Sequence, residues 1–185
     1  MNEQSFLLFK EVQRFRQKWL WYFLIGMFIV TFALVTYGTS IHLAQAPAYA
    51  KRPSNTGVLA AVGLAELITA LVVLGLFAMT HLTTEVRADG LYIRFVPFHL
   101  SPRRIPFNTL KTYAVRTYSP LREYGGWGIR WGRSGRAYNV SGNRGVQLEL
   151  VSGKRILIGS QMPEELANAI ERASGRPGAT DTGGQ

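Results

Sequence analysis

Residues 19–38 read WLWYFLIGMFIVTFALVTYG, an apolar run without a charged residue. At about 1.5 Å of rise per residue, a helix of this length extends about 30 Å, the thickness of the hydrocarbon core of a bilayer. Trp19 and Trp21 stand at one end and Tyr37 at the other, where membrane helices place their interfacial aromatic residues. The run therefore predicts a first transmembrane helix over residues 19–40.

A second apolar run, GVLAAVGLAELITALVVLGLFAMTHL, occupies residues 57–82 and contains one charged residue, Glu66. It predicts a second transmembrane helix over the same residues, with residues 41–56 as a short loop between the two. A signal peptide cleaved after residue 50 is the alternative interpretation of the first run. We favour two helices because the first run is longer than the apolar core of a signal peptide and a second run follows it.

Lysine and arginine residues flank the two runs and predict their orientation. The flanking cations are Lys10, Arg14, Arg16 and Lys18 before the first run, and Arg87, Arg94, Arg103 and Arg104 after the second. The loop between the runs carries only Lys51 and Arg52. Because positive residues near membrane spans remain on the cytoplasmic side, we expect a multi-pass protein of the cell (inner) membrane with both termini in the cytoplasm.

Residues 1–18 form a basic segment that mixes aromatic and charged side chains. One interpretation is an amphipathic helix that lies on the anionic inner leaflet before the chain enters the bilayer. The other is a plain cytoplasmic extension of the first transmembrane helix. Either one predicts the same membrane-interface residues, which are Arg14, Arg16, Lys18 and Trp19.

Glu66 lies nine residues into the second run, where a charged side chain costs about 2.5–3.5 kcal/mol on insertion scales. Three interpretations compete: a neutral Glu66 that is hydrogen-bonded within the helix pair, a Glu66 that binds a proton or ion, and a Glu66 that contacts another subunit. Matching the depths of the two runs places Thr31 opposite Glu66, so a Thr31–Glu66 hydrogen bond worth about 0.6–2 kcal/mol is one candidate. We favour a structural role, because a single intramembrane carboxylate is little evidence for transport.

The composition limits the possible functions. The chain of 185 residues has 21 Lys+Arg against 11 Asp+Glu, and its net charge of +10 suits an anionic partner. It has no cysteine and three histidines far apart in sequence, which excludes thiolate sites and predicts no metal site. No catalytic triad or phosphate-binding loop is present in the sequence. We therefore expect a protein that is not an enzyme and has no cofactor.

Residues 83–173 change to a two-residue hydrophobic period, which is typical of β-strands. In TEVRADGLYIRF, a type I′ turn at Asp89-Gly90 would place Glu85 opposite Arg94 and Arg87 opposite Tyr92. In the segment RGVQLELVSGKRILIGS, residues 144–160, a three-residue loop ending in Gly153 pairs the apolar residues of a second hairpin. The expected pairs are Leu148 with Ile156 and Val146 with Ile158.

Shorter elements complete this prediction. Strands are expected at RRIP, KTYAVRTY, GWGIRWG and AYNV, and a helix is expected between Pro163 and Gly175 with the apolar stripe Leu166, Ala169, Ile170 and Ala173. Residues 174–185 are predicted to be a disordered tail. The fold class is thus α+β: a two-helix transmembrane hairpin followed by a bent β-barrel of about seven strands with a C-terminal helix.

These motifs carry a resemblance to a known family. The series TEVRADGLYIRFVPF, RRIPFNTLKTYAVRTY, YGGWGIR, AYNVSGNRGVQLEL and GKRILIGSQMPEEL resembles the bacterial pleckstrin-homology-like (bPH) domains, and the chain is most similar to small two-span membrane proteins that carry one. The resemblance covers most of residues 83–172. It implies a pleckstrin-homology-type barrel with a C-terminal helix, and it implies no catalytic residues.

The stretch YGGWGIRWG, residues 124–132, has three interpretations. The first, which we favour, is a core strand with Trp127, Ile129 and Trp131 facing inward. The second is a nucleic-acid-binding segment, which a membrane tether disfavours. The third is a surface for lipid phosphates or an acidic protein. The candidate residues of that surface are Arg122, Trp127, Arg130, Trp131, Arg133, Arg136, Tyr138 and Arg144.

Two functions follow from these features. The first is a non-catalytic, membrane-anchored interaction or scaffold module whose partners are membrane lipids and either another membrane protein or a second copy, and not nucleic acid. The alternative is an accessory or small transport subunit of a larger membrane complex that uses Glu66.

Overall fold

A computed structural model describes residues 6–45 and 55–179 of the chain. The chain divides into two compact units. Gln17–Ala78 form the helical unit, and the residues before Gln17 together with those from Met79 onward form the head. The head is therefore assembled from two segments that the helical unit separates in sequence.

The helical unit contains α1 (Lys18–Gln45) and α2 (Asn55–Met79), each long and apolar enough to cross a membrane. The two predicted helices are thus confirmed, with different bounds. α1 continues five residues beyond the predicted end at residue 40, and α2 ends three residues before the predicted end at residue 82. α2 ends early because His81 and Leu82 already belong to a strand of the head.

Two sheets build the head. Its strands are β1 (Leu7–Arg14), β2 (His81–Arg87), β3 (Gly90–Val96), β4 (Arg103–Pro106), β5 (Leu110–Thr117), β6 (Gly128–Gly132), β7 (Gly135–Asn139), β8 (Arg144–Leu150) and β9 (Arg155–Gly159). The first sheet has the order β1-β2-β3-β4 and the second β5-β8-β9-β7-β6. Two helices accompany them, α3 (Pro120–Tyr124) and α4 (Pro163–Ser174).

The expected barrel of about seven strands is wrong in detail, since the strands of the described residues form two separate sheets and no closed barrel. Between the sheets, β4 ends at Pro106, which has no N–H to continue a ladder, and the short 3-10 turn Phe107–Thr109 carries the chain to β5. The coarser architecture is as predicted: two apolar helices, a head made mostly of strands, and a C-terminal helix.

The prediction of a helix in the N-terminal segment is wrong. Leu7–Arg14 form an edge strand, paired antiparallel with β2 so that Lys10 faces Glu85 and Arg14 faces His81. The inward positions are Phe9, Glu11 and Gln13, whereas Val12 is 47% exposed. Because two inward side chains are polar and an outward one is apolar, the two-residue period of this strand is hidden in the sequence.

The β2–β3 hairpin forms with a different register from the one predicted. Its loop is Ala88-Asp89, so that Arg87 faces Gly90 and Glu85 faces Tyr92. Gly90 lies in the strand because β4 approaches it closely: a Cβ there would stand 2.7 Å from the carbonyl oxygen of Ile105. Arg87 still contacts Tyr92, but diagonally, with its guanidinium 4.5 Å from the ring centroid. Glu85 forms ion pairs with Lys10 and Arg87, and not the predicted pair with Arg94.

The second hairpin and the C-terminal helix are as predicted. Leu148 faces Ile156 and Val146 faces Ile158. α4 begins at Pro163 and is capped at Gly175. It buries Leu166, Ala169 and Ile170 in a core shared with side chains of both sheets, including Leu82, Val86, Phe95 and Leu148.

The prediction of a disordered tail is wrong for its first residues. Ser174 ends α4, and the next residues lie along β5, where the backbone N–H of Ala179 donates to the carbonyl of Tyr113 at 2.8 Å. The Tyr113 hydroxyl donates in turn to the carbonyl of Arg176 at 2.8 Å. Residues 180–185 lie outside the described residues, as do residues 46–54 of the predicted loop.

Candidate functional site

A cleft of about 830 Å³ opens in the head between β4 of the first sheet and the strands β6, β7 and β9 of the second. We call it the basic cleft, because its lining includes six cationic side chains and, among the described residues, no carboxylate. These six are Arg103, Arg104, Arg133, Arg136, Lys154 and Arg155. Its remaining lining includes the aromatic residues Trp131 and Tyr138.

Three separate parts of the sequence bring these cations together. Arg103 and Arg104 begin β4, Arg133 stands in the turn between β6 and β7, and Arg155 begins β9 after the β8–β9 loop. β7 and β9 pair in parallel, with Arg136 beside Ile156. Gly135 makes this pairing possible: its φ is +100°, and a Cβ there would stand 2.2 Å from the carbonyl oxygen of Arg155.

Arg136 is held between two aromatic rings. Its guanidinium carbon lies 4.5 Å from the ring centroid of Trp131 and 4.9 Å from that of Tyr138. Its Nε is buried and has no hydrogen-bond partner among the described residues. Because the two rings fix the guanidinium in place, its terminal N–H groups are suited to donate hydrogen bonds to an anionic ligand.

Most of the positive charge in the basic cleft is not neutralised by the protein. Arg104 forms an ion pair with Asp89 at 3.1 Å. Within the described chain, no carboxylate lies within ion-pair distance of the other five, which are Arg103, Arg133, Arg136, Lys154 and Arg155. Charges of one sign that converge in a cleft raise the local concentration of counter-ions, so this geometry attracts anions.

Four of the predicted surface residues line the basic cleft, and four do not. Trp131, Arg133, Arg136 and Tyr138 line it. Arg122, Trp127, Arg130 and Arg144 lie elsewhere in the head, and each except the exposed Arg122 of α3 has a described partner. Arg130 Nε donates to the carbonyl of Trp127 at 2.9 Å, Trp127 Nε1 donates to the carbonyl of Gly142 at 3.1 Å, and Arg144 pairs with Glu164.

Sequence reasoning did not assign Arg103, Arg104, Lys154 and Arg155 to the site. Each belongs to a pair of consecutive basic residues at the start of a strand, and such a pair is the sequence feature that could have indicated an anion-binding site. That signal does not show which strands approach each other. Only the fold, in which β4 and the β7–β9 pair line the same cleft, brings the two basic pairs together with Arg133 and Arg136.

The expectation that Trp127, Ile129 and Trp131 face inward as a core strand is wrong for Trp131. Trp127 precedes β6, and Ile129 packs against the core. Trp131 shares a strand face with Ile129, yet it is 69% exposed because it lines the basic cleft and does not pack in the core.

The predicted membrane-interface residues stand where the head joins the helical unit. Arg14 ends β1, Arg16 follows it, Lys18 begins α1, and Trp19 is exposed in the first turn of that helix.

Comparison with known proteins places the chain in a family. A family model described as a family of unknown function, DUF6141, matches residues 2–176. The chain belongs to the DUF6141 family. No curated protein and no solved structure is matched by it, so the function of this family member has to be argued from its geometry.

In this DUF6141 protein, Trp131→Ala should change the stability of the head little. An exposed ring that stacks on one arginine contributes about 0.5–1 kcal/mol, whereas truncation of a buried tryptophan costs about 3–5 kcal/mol. Urea denaturation of the Trp131→Ala protein measures the difference. A decrease of about 3–5 kcal/mol in the free energy of unfolding, as for a buried tryptophan, would restore the core-strand interpretation.

His99 lies behind the basic cleft of the DUF6141 head. It is buried, packs edge-on against Tyr138 with 5.6 Å between ring centroids, and accepts a hydrogen bond on Nδ1 from the Phe95 N–H at 3.2 Å. Burial lowers the pKa of the imidazole below its usual 6.5, and the positive charges of Arg103 and Arg136 lower it further. Protonation would place a proton on the nitrogen that accepts from Phe95.

The stability of the head should therefore depend on pH through His99. The folded head favours the neutral imidazole more than the unfolded chain does, so this contribution is complete above pH 6.5 and is lost as the pH falls toward the folded-state pKa. Urea denaturation at pH 7 and pH 5 should show a larger decrease for the native protein than for His99→Gln. Equal decreases would contradict this prediction.

Glu66 and Thr31 both lie on half-buried faces of the helical unit of this DUF6141 chain. One turn from Glu66, Gly63 faces the ring of Phe32, and a Cβ on the glycine would stand 3.6 Å from it. The Thr31 hydroxyl donates to the carbonyl of Phe28 in its own helix at 3.1 Å. The predicted Thr31–Glu66 hydrogen bond is not among the contacts of the described residues.

Proposed function

We propose that this protein is a non-catalytic, membrane-anchored interaction module whose head binds an anionic group in the basic cleft at the cytoplasmic face. The observation that carries the proposal is the convergence, beside an exposed tryptophan, of five cations that have no carboxylate of the described residues within ion-pair distance. The cleft, at about 830 Å³, falls within the range of about 300–1,000 Å³ that ligand sites occupy.

The preferred ligand is a phosphate group of an acidic membrane lipid. Guanidinium groups bind phosphate oxygens in a bidentate, charge-assisted manner, and four of the five unpaired cations are arginines. Trp131 offers an exposed aromatic ring of the kind found at membrane interfaces. The linkers to the helical unit are short, so acidic lipid lies within reach of the head.

The anchoring part of the proposal has α1 and α2 cross the inner membrane as a hairpin, with both termini in the cytoplasm. β1 precedes α1, β2 follows α2, and the two strands pair in one sheet. If both helices cross a membrane, the start of α1 and the end of α2 must therefore lie on the same side of it. The excess of arginine and lysine around these ends favours the cytoplasmic side.

The proposal also retains the pleckstrin-homology-like identity of the head. Its support is the sequence resemblance together with a head of antiparallel hairpins and a C-terminal helix that packs into the core. The parallel β7–β9 pair is a feature that the resemblance did not predict.

Vesicle binding tests the proposed function. The purified full-length protein, held in detergent-free nanodiscs of neutral phosphatidylcholine, is mixed with vesicles of phosphatidylcholine alone or with added phosphatidylglycerol. We expect co-flotation with the anionic vesicles only, and we expect inorganic phosphate to reduce it. Equal binding to both kinds of vesicle, or binding to neither, would reject the proposal.

A second candidate is an accessory or small transport subunit that uses Glu66. It is favoured by the place of Glu66 on the half-buried face of α2, one turn from the contact between Gly63 and Phe32. Glu66→Gln preserves the shape of the side chain and removes its charge. Loss of a proton- or ion-linked activity with unchanged assembly would support this candidate, and an unchanged phenotype would remove it.

A further inference from the structure

The loop between β3 and β4 exposes two large apolar side chains. Phe98 is 69% exposed and Leu100 is 92% exposed. The loop, residues 97–102 with the sequence PFHLSP, contains no charged residue, and Arg103 and Arg104 follow it directly. An apolar tip beside basic residues is the composition of segments that enter the interface of an anionic membrane.

The loop is held in this conformation by the residue between the two apolar side chains. The backbone N–H of His99 donates to the carbonyl of Phe95 at 2.7 Å, and the N–H of Phe95 donates to His99 Nδ1 at 3.2 Å. The ring of Phe98 stands 6.0 Å from that of Phe95. Because His99 is buried, its neighbours on both sides point outward, so the exposure of Phe98 and Leu100 is built into the fold.

The register of the first sheet places this loop at the end where the chain continues into the helical unit. Val96, the last residue of β3, faces His81, and His81 faces Arg14. α2 ends at Met79 and α1 begins at Lys18. Neighbouring strands are about 4.8 Å apart, so the loop starts within about 10 Å of His81 and Arg14, the strand residues from which the chain continues toward α2 and α1.

Exposed basic side chains surround this end of the sheet. They are Arg14, Arg16, Arg94 and Arg103. Acidic lipid headgroups complement this charge, and a polybasic surface at a membrane gains about 1 kcal/mol from each such residue.

We propose that the β3–β4 loop inserts Phe98 and Leu100 into the cytoplasmic leaflet as a membrane contact additional to the two helices. In a leaflet that contains acidic lipid, this contact sets the orientation of the head and turns the wall of the basic cleft that starts at Arg103 toward the lipid headgroups. The inference rests on the anchoring part of the proposed function and does not depend on ligand binding in the cleft.

Single cysteines test this proposal without background, because the chain has none of its own. Leu100→Cys probes the loop. Val151→Cys is the matched control, since Val151 is 68% exposed and lies at the opposite end: its N–H donates to the carbonyl of Thr109, just beyond the pairing of Pro106 with Gly90. Leu34→Cys, in α1, reports membrane anchoring itself.

The full-length variants are labelled with bimane in nanodiscs of phosphatidylcholine and phosphatidylglycerol, and quenching by lipids brominated on their acyl chains is measured. We expect blue-shifted, quenched emission at positions 100 and 34 and unquenched emission at position 151. Adding Phe98→Ser should reduce the quenching at position 100, because the tip then loses its remaining large apolar side chain.

The other outcomes separate the loop from the anchor. Quenching at position 34 without quenching at position 100 overturns the loop proposal and leaves the anchoring intact. A label at position 100 that is shielded from aqueous iodide but not quenched by lipid also overturns it, since a protein surface then covers the loop. Absence of quenching at position 34 overturns the anchoring and the loop together, and equal quenching at positions 100 and 151 overturns the proposed orientation.

Discussion

A protein in which a short glycine-serine linker replaces residues 17–78 is expected to fold as a stable head, and the same protein without residues 1–14 is expected not to fold. The linker can be short because Arg14 and His81 face each other across the β1–β2 ladder, where paired Cα atoms are about 4.5–5.5 Å apart. The helices α1 and α2 are thus not needed to complete the head, whereas β1 is.

β1 is indispensable because its inward side chains satisfy buried polar groups at the junction of β9 and α4. The hydroxyl of Ser160 donates to the Glu11 carboxylate at 2.6 Å and the backbone N–H of Gln161 donates to it at 2.8 Å. The side-chain amide of Gln13 donates to the carbonyl of Gly159 at 2.7 Å. Removal of three such partners costs about 3–9 kcal/mol at about 1–3 kcal/mol each, which is comparable to the entire stability of a small domain, about 5–15 kcal/mol.

Point variants of the linked head isolate this contribution. Glu11→Ala should lower the free energy of unfolding by about 2–4 kcal/mol, because it leaves the Ser160 hydroxyl and the Gln161 N–H without their acceptor. Lys10→Ala, one position away, should cost no more than about 1 kcal/mol, since its partner Glu85 keeps a second ion pair with Arg87. Urea denaturation followed by circular dichroism measures both values.

Cooperative unfolding of a head that lacks residues 1–14 would contradict this prediction. The N-terminal segment would then be an accessory to the fold, and a helix on the membrane surface would again be its best interpretation. Similar losses for Glu11→Ala and Lys10→Ala would show that the buried contacts of Glu11 contribute no more than an exposed ion pair.

The second large effect is expected from charge reversal in the basic cleft. Arg133→Glu combined with Arg155→Glu should weaken binding to anionic vesicles by about 100-fold or more. Two charge-assisted hydrogen bonds of about 1.5–3 kcal/mol each are lost, and each 1.4 kcal/mol corresponds to a factor of ten. Both side chains are exposed. Arg155→Glu places a like charge opposite Glu149 across the β8–β9 ladder, at a cost of about 0.2–1 kcal/mol, so the substitutions should leave the fold intact.

The matched control is Arg122→Glu combined with Arg130→Glu. Each Arg→Glu change lowers the net charge by two, so both double variants carry +6 in place of the native +10. Arg122 and Arg130 lie outside the cleft lining, and their reversal should reduce binding only through long-range attraction. This long-range attraction should be largely screened above 0.1 M salt, where the Debye length is about 10 Å or less.

Equal losses for the two double variants would show that binding follows net charge and that the cleft is not a site. Full retention of binding by the Arg133/Arg155 variant would reject the cleft directly. A loss confined to the cleft variant and persistent at high salt is the expected result.

Local patterns were sufficient for the parts of this protein that depend on near neighbours in sequence. The β8–β9 hairpin was predictable because Val146, Leu148, Ile156 and Ile158 alternate on one face around a short loop. The C-terminal helix was predictable because Pro163 and Gly175 mark its ends and an apolar stripe lies between them. In contrast, the β2–β3 register was not, because Gly90 serves a contact with Ile105 and not the turn.

The sequence by itself determined two apolar helices and a basic head made mostly of strands, because helix length, hydropathy and strand alternation are properties of short segments. Tertiary structure alone decided that β1 belongs to the head, since Glu11 and Gln13 have their partners at residues 159–161. The basic cleft also exists only in the tertiary structure, because Arg103, Arg136 and Arg155 come together there from three different strands. The place of β1 and the basic cleft both depend on hydrogen bonds and packing between segments that are distant in sequence. Local periodicity does not predict which of these segments contact each other.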